Sequence, residues 1–344
     1  MSLELMREGG APMAELSSER VLAKELLWLA PLYATFAFVQ LKLKLAATET
    51  WSNGQLASNH EKLLDFDYFN NEQSRILQFY IPEALHQVFG ASVPYAYLLQ
   101  RMLFVFASFM VLHAYYRAWF DRVGAALCVT IQAAVMALTH MNDLQESAPL
   151  LGVLFVLCLW AIREHRDFAY AVVLLVGALT NETILVLASV HFFFNVEQLP
   201  KSGADVLRIL KVALRTAVLT LPAFGYTLFI RYVTRDNPHL GGAWHWPDNI
   251  SGLGQALLTN PFTWHRRSYL YPWLLFGPLW IYAYLSWREK PLFLRAASLM
   301  VPLFIGAHLL TGIISEVRQL LPLGAVIIPM ALWSFVRPAQ ASAR

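Results

Sequence analysis

Long apolar runs alternate with short polar stretches from Leu26 almost to the C-terminus, and this pattern sets the reading of the chain. Crossing a hydrocarbon core of roughly 30 Å takes about 20 apolar residues in a helix. Apolar runs occur at Leu26 to Leu45, Tyr95 to Ala118, Val123 to Leu138, Ala148 to Ile162 and Phe168 to Leu179. Further runs follow at Ile184 to Phe194, Val212 to Ile230, Tyr269 to Ser286, Ala297 to Ile314 and Leu320 to Val336. Together they predict about ten spans. The runs beginning at Val123, Phe168 and Ile184 are short, so they must tilt, extend into flanking polar residues or pair as a partly inserted hairpin. Two long polar loops remain, 46–94 and 231–268. Within the first, Ile76 to Phe89 repeats apolar positions near helical spacing, the pattern of a helix lying along a membrane surface.

Composition agrees with this pattern. Of 344 residues, 57% are hydrophobic and 14% charged, and the mean hydropathy is +0.47. Soluble domains carry about a quarter charged residues. The expected fold is therefore an all-α, polytopic transmembrane bundle occupying residues 1–344 as one membrane domain. Residues 1–25 form a polar tail, and the apolar run after it is too long for a signal-peptide core and lacks a cleavage site, which predicts a retained first span. A net charge of +3, dispersed between apolar runs, excludes a nucleic-acid surface. Basic residues favour one set of loops, most clearly Lys201 to Arg215, and so predict that both termini are cytoplasmic. Cys128 and Cys158 both lie in apolar runs, as packing residues do, and offer neither a disulfide framework nor a thiolate site.

Charged groups near hydrocarbon need partners or a wet cavity. On the expected topology Asp65, Asp67, Asp143, Glu182, Glu316 and Arg318 all fall at the outer ends of spans or in outer loops. Asp65 and Asp67, just before the surface helix, can supply a base or two oxygen ligands for a divalent cation such as Mg or Mn; the competing reading is a solvated acidic loop. Asp143 lies in Thr139 to Ser147, where it can face a substrate or cap a span. Glu182 interrupts an apolar stretch where the next helix begins, a place where the helix N-terminus itself stabilises a carboxylate. Arg318 is a planar fork suited to a phosphate, and Glu316, two residues before it, would face elsewhere on a regular helix. Arg75 opens the surface helix. In the second loop His245 and Trp246 combine an aromatic face with hydrogen-bonding groups that could meet a sugar, although interfacial Trp residues also anchor spans. The loop histidines lack metal-ligand spacing, so no metal site is assigned. Asn249-Ile250-Ser251 has the form of a glycosylation sequon.

Taken in order, these segments resemble the GT-C class of integral-membrane glycosyltransferases, in particular bacterial membrane proteins similar to polyprenyl-phosphate-sugar mannosyltransferases. The resemblance is carried by Asp65 and Asp67 after the first span, Ser74-Arg75-Ile76-Leu77, Asn142-Asp143, Leu179-Thr180-Asn181-Glu182-Thr183, and Glu316-Val317-Arg318-Gln319-Leu320-Leu321-Pro322. It implies a polyprenyl-phosphate sugar donor, a hexosyl or pentosyl transfer to an envelope glycan, lipid or protein, and a bacterial inner-membrane location. By position it makes Asp67 or Asp65 the base and Arg318 the phosphate contact. Two departures stand out: Asn181 replaces a Lys frequent in related transferases, and the separate soluble domain some of them carry is missing here. Two other classes fit the same features. One is a transporter or flippase of a lipid-linked substrate, and the other a non-catalytic membrane subunit of an envelope-assembly complex.

Overall fold

In the computed structural model the described residues are 11–47, 54–68, 71–140, 148–200, 206–234, 245–258, 271–314 and 316–336. Helices account for the regular structure, and no strand occurs among the described residues. The chain begins with α1 (Ala11–Ala47), followed by α2 (Gln55–Leu64), a 3-10 turn (Asn71–Ser74) and α3 (Ile76–Phe89). Next come α4 (Val93–Tyr116), α5 (Arg122–Thr139), α6 (Ala148–Arg163) and α7 (Asp167–Ala178). A 3-10 segment, Glu182–Val186, runs directly into α8 (Leu187–Glu197), and α9 (Val206–Val233) follows. Then come α10 (Trp246–Leu258), α11 (Tyr271–Phe276), α12 (Leu279–Tyr284), α13 (Leu292–Ser298) and α14 (Met300–Thr311). A second 3-10 segment, Val317–Leu323, continues into α15 (Gly324–Leu332).

Where it is described, each apolar run named from the sequence is mostly helical, although Tyr269 to Ser286 is broken into the short α11 and α12, and the segment Ile76 to Phe89 is α3 with the expected bounds. Four stretches are long and apolar enough to cross a membrane: Arg20–Ala47, Val93–Tyr116, Arg122–Thr139 and Leu292–Thr311. Local chemistry explains several boundaries. Asp121 caps α5 by accepting from Gly124 N at 2.7 Å. Gly90 closes α3 with φ +63, a conformation costly for any residue with a Cβ.

The bundle is laced by polar ties at both ends. At the end where α1 begins, Tyr33 donates to His113 Nδ1 at 2.6 Å, and His113 Nε2 donates to Glu25 Oε1 at 2.6 Å. Arg117 meets the same carboxylate at 3.0 Å. Asp167 of α7 binds Arg215 of α9, and Arg295 of α13 reaches Glu197 of α8 at 3.1 Å. At the opposite, distal end, His140 joins Gln40 of α1 at 2.8 Å and Arg101 of α4 at 3.3 Å. There His60 of α2 bridges Tyr97 of α4 and Glu83 of α3, both at 3.0 Å. Buried polar groups keep their cost low only when hydrogen-bonded, so these ties fix which helices are neighbours. Between the two ends the core is apolar, built on Phe109, Tyr116, Phe155, Leu174, Phe304 and Ile328.

Candidate functional site

The polar residues that interrupt the apolar runs collect at the distal end, and short 3-10 segments place them. The break after α7 comes first. Gly177 O accepts from Thr180 N at 2.9 Å and Asn181 N at 2.8 Å, which ends the helix. Asn181 then caps the next segment through Oδ1, accepting from Thr183 N at 3.0 Å, so that Glu182 stands in its first turn. The head of α3 docks on this break: Leu77 N donates to Leu179 O at 3.2 Å. Tyr226 of α9 ties the same place from the other side, donating to Ser74 O at 3.2 Å. Arg75, the buried N-cap residue of α3, is thereby brought to the α7 break that carries Glu182.

His308 lies on α14, the helix that packs against the Glu182–Val186 segment, within electrostatic reach of both Glu182 and Arg75. Its Nδ1 lies 2.9 Å from Phe304 O, and its ring stacks on Phe304 with centroids 4.3 Å apart. The extended residue Gly312 lets the next segment approach. A Cβ there would sit 3.0 Å from Gln319 Oε1 and 3.4 Å from His308 Cδ2. Gln319 in turn donates to Glu316 Oε2 at 3.0 Å, and Arg318 donates to the same oxygen at 2.9 Å. The sequence had suggested that Glu316 and Arg318 face apart. They pair because Glu316 precedes the 3-10 segment with φ −82 and ψ 73, outside helical geometry. Arg318 also lines a cavity of about 30 Å³ with Ser108, Gln132 and Met136, in walls that are otherwise apolar. That is room for a water-sized group or slightly more.

Other sequence-predicted residues lie elsewhere. Asp65 and Asp67 are exposed and straddle the C-terminal end of α2. Phe66 N donates to Leu63 O at 3.2 Å and Asp67 N to Lys62 O at 2.8 Å, a Schellman closure with Phe66 at φ +54 where glycine is usual. The left-handed backbone costs about 1–2 kcal/mol, and acids at a helix C-terminus are electrostatically disfavoured. The closure satisfies two of the last carbonyls of α2, against the cost of a left-handed phenylalanine and two acids at that end. Asp143 lies outside the described residues. His245 and Trp246 begin α10: His245 N donates to Leu310 O at 3.0 Å, its side chain is 3.7 Å from Asp248, and Trp246 is exposed.

Three contributors were not singled out from the sequence as site residues: His308, Gln319 and Asn249. Asn249 is 1% exposed and donates to Leu309 O and Gly312 O at 2.9 and 2.8 Å, while its Oδ1 accepts from Ile314 N at 3.1 Å. It fastens α10 onto the end of α14, and its amide nitrogen is engaged rather than open to a glycan. The sequence signal for His308 was a lone imidazole in an apolar run, four residues after a Phe. Among the described residues no group of three or more His, Cys, Asp or Glu side chains is arranged to hold a metal ion.

No protein-family model, curated protein or solved structure matches the chain.

Proposed function

We propose that this chain is an integral-membrane, GT-C-like glycosyltransferase that takes a sugar from a polyprenyl-phosphate donor and passes it to an envelope acceptor on the outer side of a bacterial inner membrane. The observation that carries the reading is the Glu316–Arg318 pair at one end of an apolar bundle, in a segment that meets the end of α14 across Gly312, with the Glu182 segment packed on the same helix. Arg gives phosphate a bidentate partner, and a guanidinium held at the end of membrane helices suits a head group whose tail stays in lipid. An apolar cavity of about 60 Å³, bordered by Leu253, Trp273, Trp280, Ile305 and Leu309, flanks α14. In this reading both termini are cytoplasmic, and the helices form about ten spans.

A sugar bound through phosphate has a good leaving group, so the enzyme mainly has to position the reactants, hold charge and accept one proton. Asp67 or Asp65, on the C-terminal cap of α2 and apart from the Glu316–Arg318 pair, is the carboxylate assigned to that proton. The strained, electrostatically disfavoured cap that presents the pair supports a role other than stability.

The test is binding and turnover of polyprenyl-phosphate sugars by the protein in lipid nanodiscs. Arg318→Ala should weaken donor binding about ten- to a hundredfold, the loss of charge-assisted hydrogen bonds worth roughly 1.5–3 kcal/mol. Asp67→Asn should retain binding and lose turnover. Full turnover in both Asp65→Asn and Asp67→Asn would remove the loop acids from the mechanism.

A second reading, a flippase for the same class of lipid, is favoured by one observation: helices broken into 3-10 segments at Glu182–Val186 and Val317–Leu323, both carrying site residues. Movement of an unaltered lipid across the bilayer, with no glycosylated product, would select it.

A further inference from the structure

α10 lies outside every apolar run named from the sequence, yet one of its faces is apolar and bare. At 3.6 residues per turn, successive side chains step about 100° round a helix. Counted from the buried Asn249, Trp246 and Ile250 lie about 60° and 100° round one side, and Asp248 and Ser251 about 100° and 160° round the other. Trp246 is 48% exposed and Ile250 60% exposed. Asp248 and Ser251 are exposed as well. The helix thus has three faces: one stapled to the protein by Asn249, one apolar and one polar.

The place where α10 is fastened says what lies beside it. Asn249 donates to Leu309 O and Gly312 O, and His245 N donates to Leu310 O, all at the C-terminal end of α14. That helix completes Leu292–Thr311, one of the four stretches long and apolar enough to cross a membrane. A span leaves the hydrocarbon at its end, so α10 is fixed at the depth of the bilayer boundary. Leu303 and Leu310 are two turns apart on α14 and both are exposed, which marks the lipid-facing side of that span. Leu310 is also the residue that binds His245 N, one position before Trp246. The apolar surface continues on α11, where Trp273 and Leu274 are exposed and Trp273 borders the same cavity as Leu253 of α10. Continuity with the lipid-facing side of α14 selects lipid as the cover, and an indole beside polar groups suits the amphipathic boundary layer.

We infer that α10 is an interfacial anchor, lying in the bilayer boundary with Trp246 and Ile250 set into lipid and Asp248 and Ser251 turned to water. Its partner is the lipid surface, so Trp246 is taken up by the membrane rather than offered to a sugar. The Asn249 staple and the bilayer then hold α10 from two sides, and the wall that Leu253 gives the cavity depends on both. The inference rests on membrane insertion alone and stands equally for a transferase, a flippase or a non-catalytic subunit.

The experiment places a nitroxide on Trp246→Cys, Ile250→Cys, Asp248→Cys and Ser251→Cys in turn, in the full chain at one copy per nanodisc. Cys128 and Cys158 are both buried, and labelling of the wild type fixes the background. Collision with oxygen, which partitions into lipid, is compared with collision with a neutral nickel chelate, which stays in water. The ratio of oxygen to nickel collisions should be several-fold higher at 246 and 250 than at 248 and 251. Labels at 246 and 250 that meet nickel as freely as those at 248 and 251 overturn the inference. Labels at 246 and 250 shielded from both reagents also overturn it, since that is the pattern of a face covered by protein. Trp246→Phe gives a second reading without a label. The emission lost on substitution should be the part of wild-type fluorescence that brominated-chain lipids quench more strongly than aqueous iodide does, and the reverse order overturns the anchor.

Discussion

Asn249→Ala tests whether α10 is a fixed wall of the site or a loosely attached loop. The side chain makes three hydrogen bonds, to Leu309 O, Gly312 O and Ile314 N, at 2.9, 2.8 and 3.1 Å, and it is 1% exposed. Those partners lie at the C-terminal end of α14, where the last carbonyls of the helix have no internal donor and the N–H of Ile314, past the helix, has no helical acceptor. Removing the amide loses net bonds worth about 0.5–1.5 kcal/mol each and strands backbone groups at about 1–3 kcal/mol each where water cannot replace them. Allowing for partial rehydration, the docking of α10 should weaken by about 3 kcal/mol, roughly a hundredfold in the opening equilibrium. Hydrogen exchange on the nanodisc-embedded protein measures this directly. Amides of residues 245–258 and 309–314 should exchange about a hundredfold faster, while those of α4 and α5 keep wild-type protection. Asn249→Asp separates packing from hydrogen bonding. It keeps the acceptor for Ile314 N but turns a carboxylate oxygen toward two carbonyls, so it should open the region at least as far as Asn249→Ala. Unchanged exchange at 309–314 in both variants would refute the stapling role and leave His245 N to Leu310 O as the only described hydrogen-bond tie at that place.

Two further outcomes follow from local geometry. In Gly177→Ala the new Cβ would run into Ile184 Cδ1 and lie 3.2 Å from Ile184 Cγ1 and Cγ2; Ile184 is fully buried and cannot swing away. Overpacking of this kind costs about 1–3 kcal/mol. The thermal midpoint and phosphate-lipid binding should therefore fall together, because the Glu182 segment is displaced, and adding Ile184→Val should restore part of both. At the α2–α3 layer, the hydrogen bond from His60 holds the Glu83 carboxyl below the usual carboxylate range, with a second contribution from Gln87. A carboxyl whose pKa is lowered on folding contributes stability that is fully present above its unfolded value and lost as pH falls through the folded value. Protection of α3 amides should accordingly stay level from neutral pH into the ordinary carboxylate range and drop only below it. Glu83→Gln should remove that acid-dependent loss, and an unchanged profile would count against the His60 link.

The order of apolar runs determined most of what is regular here. A helix in lipid satisfies its own backbone, so hydrophobic length located the long helical segments and helical spacing located α3, whereas α2 and α10 lie in stretches read as loops. It also announced which charged residues would be awkward in such a bundle: Arg75, Glu182, Glu316 and Arg318 interrupt apolar sequence and needed partners wherever the chain put them. Their partners were not legible. Glu316 and Arg318 face the same way only because the chain enters the 3-10 segment off helical geometry, a backbone detail that residue spacing does not encode. His308 carries no local signal beyond being an imidazole in an apolar helix, yet packing sets it near Glu182 and Arg75, which lie over a hundred residues away in sequence. Asn249 read as a sequon and serves as a staple, since only the folded chain brings the end of α14 to its amide. Hydrophobic periodicity is a property of neighbours along the chain and survives in the sequence. Pairing across helices depends on rotation and register between elements, which only the packed structure decides.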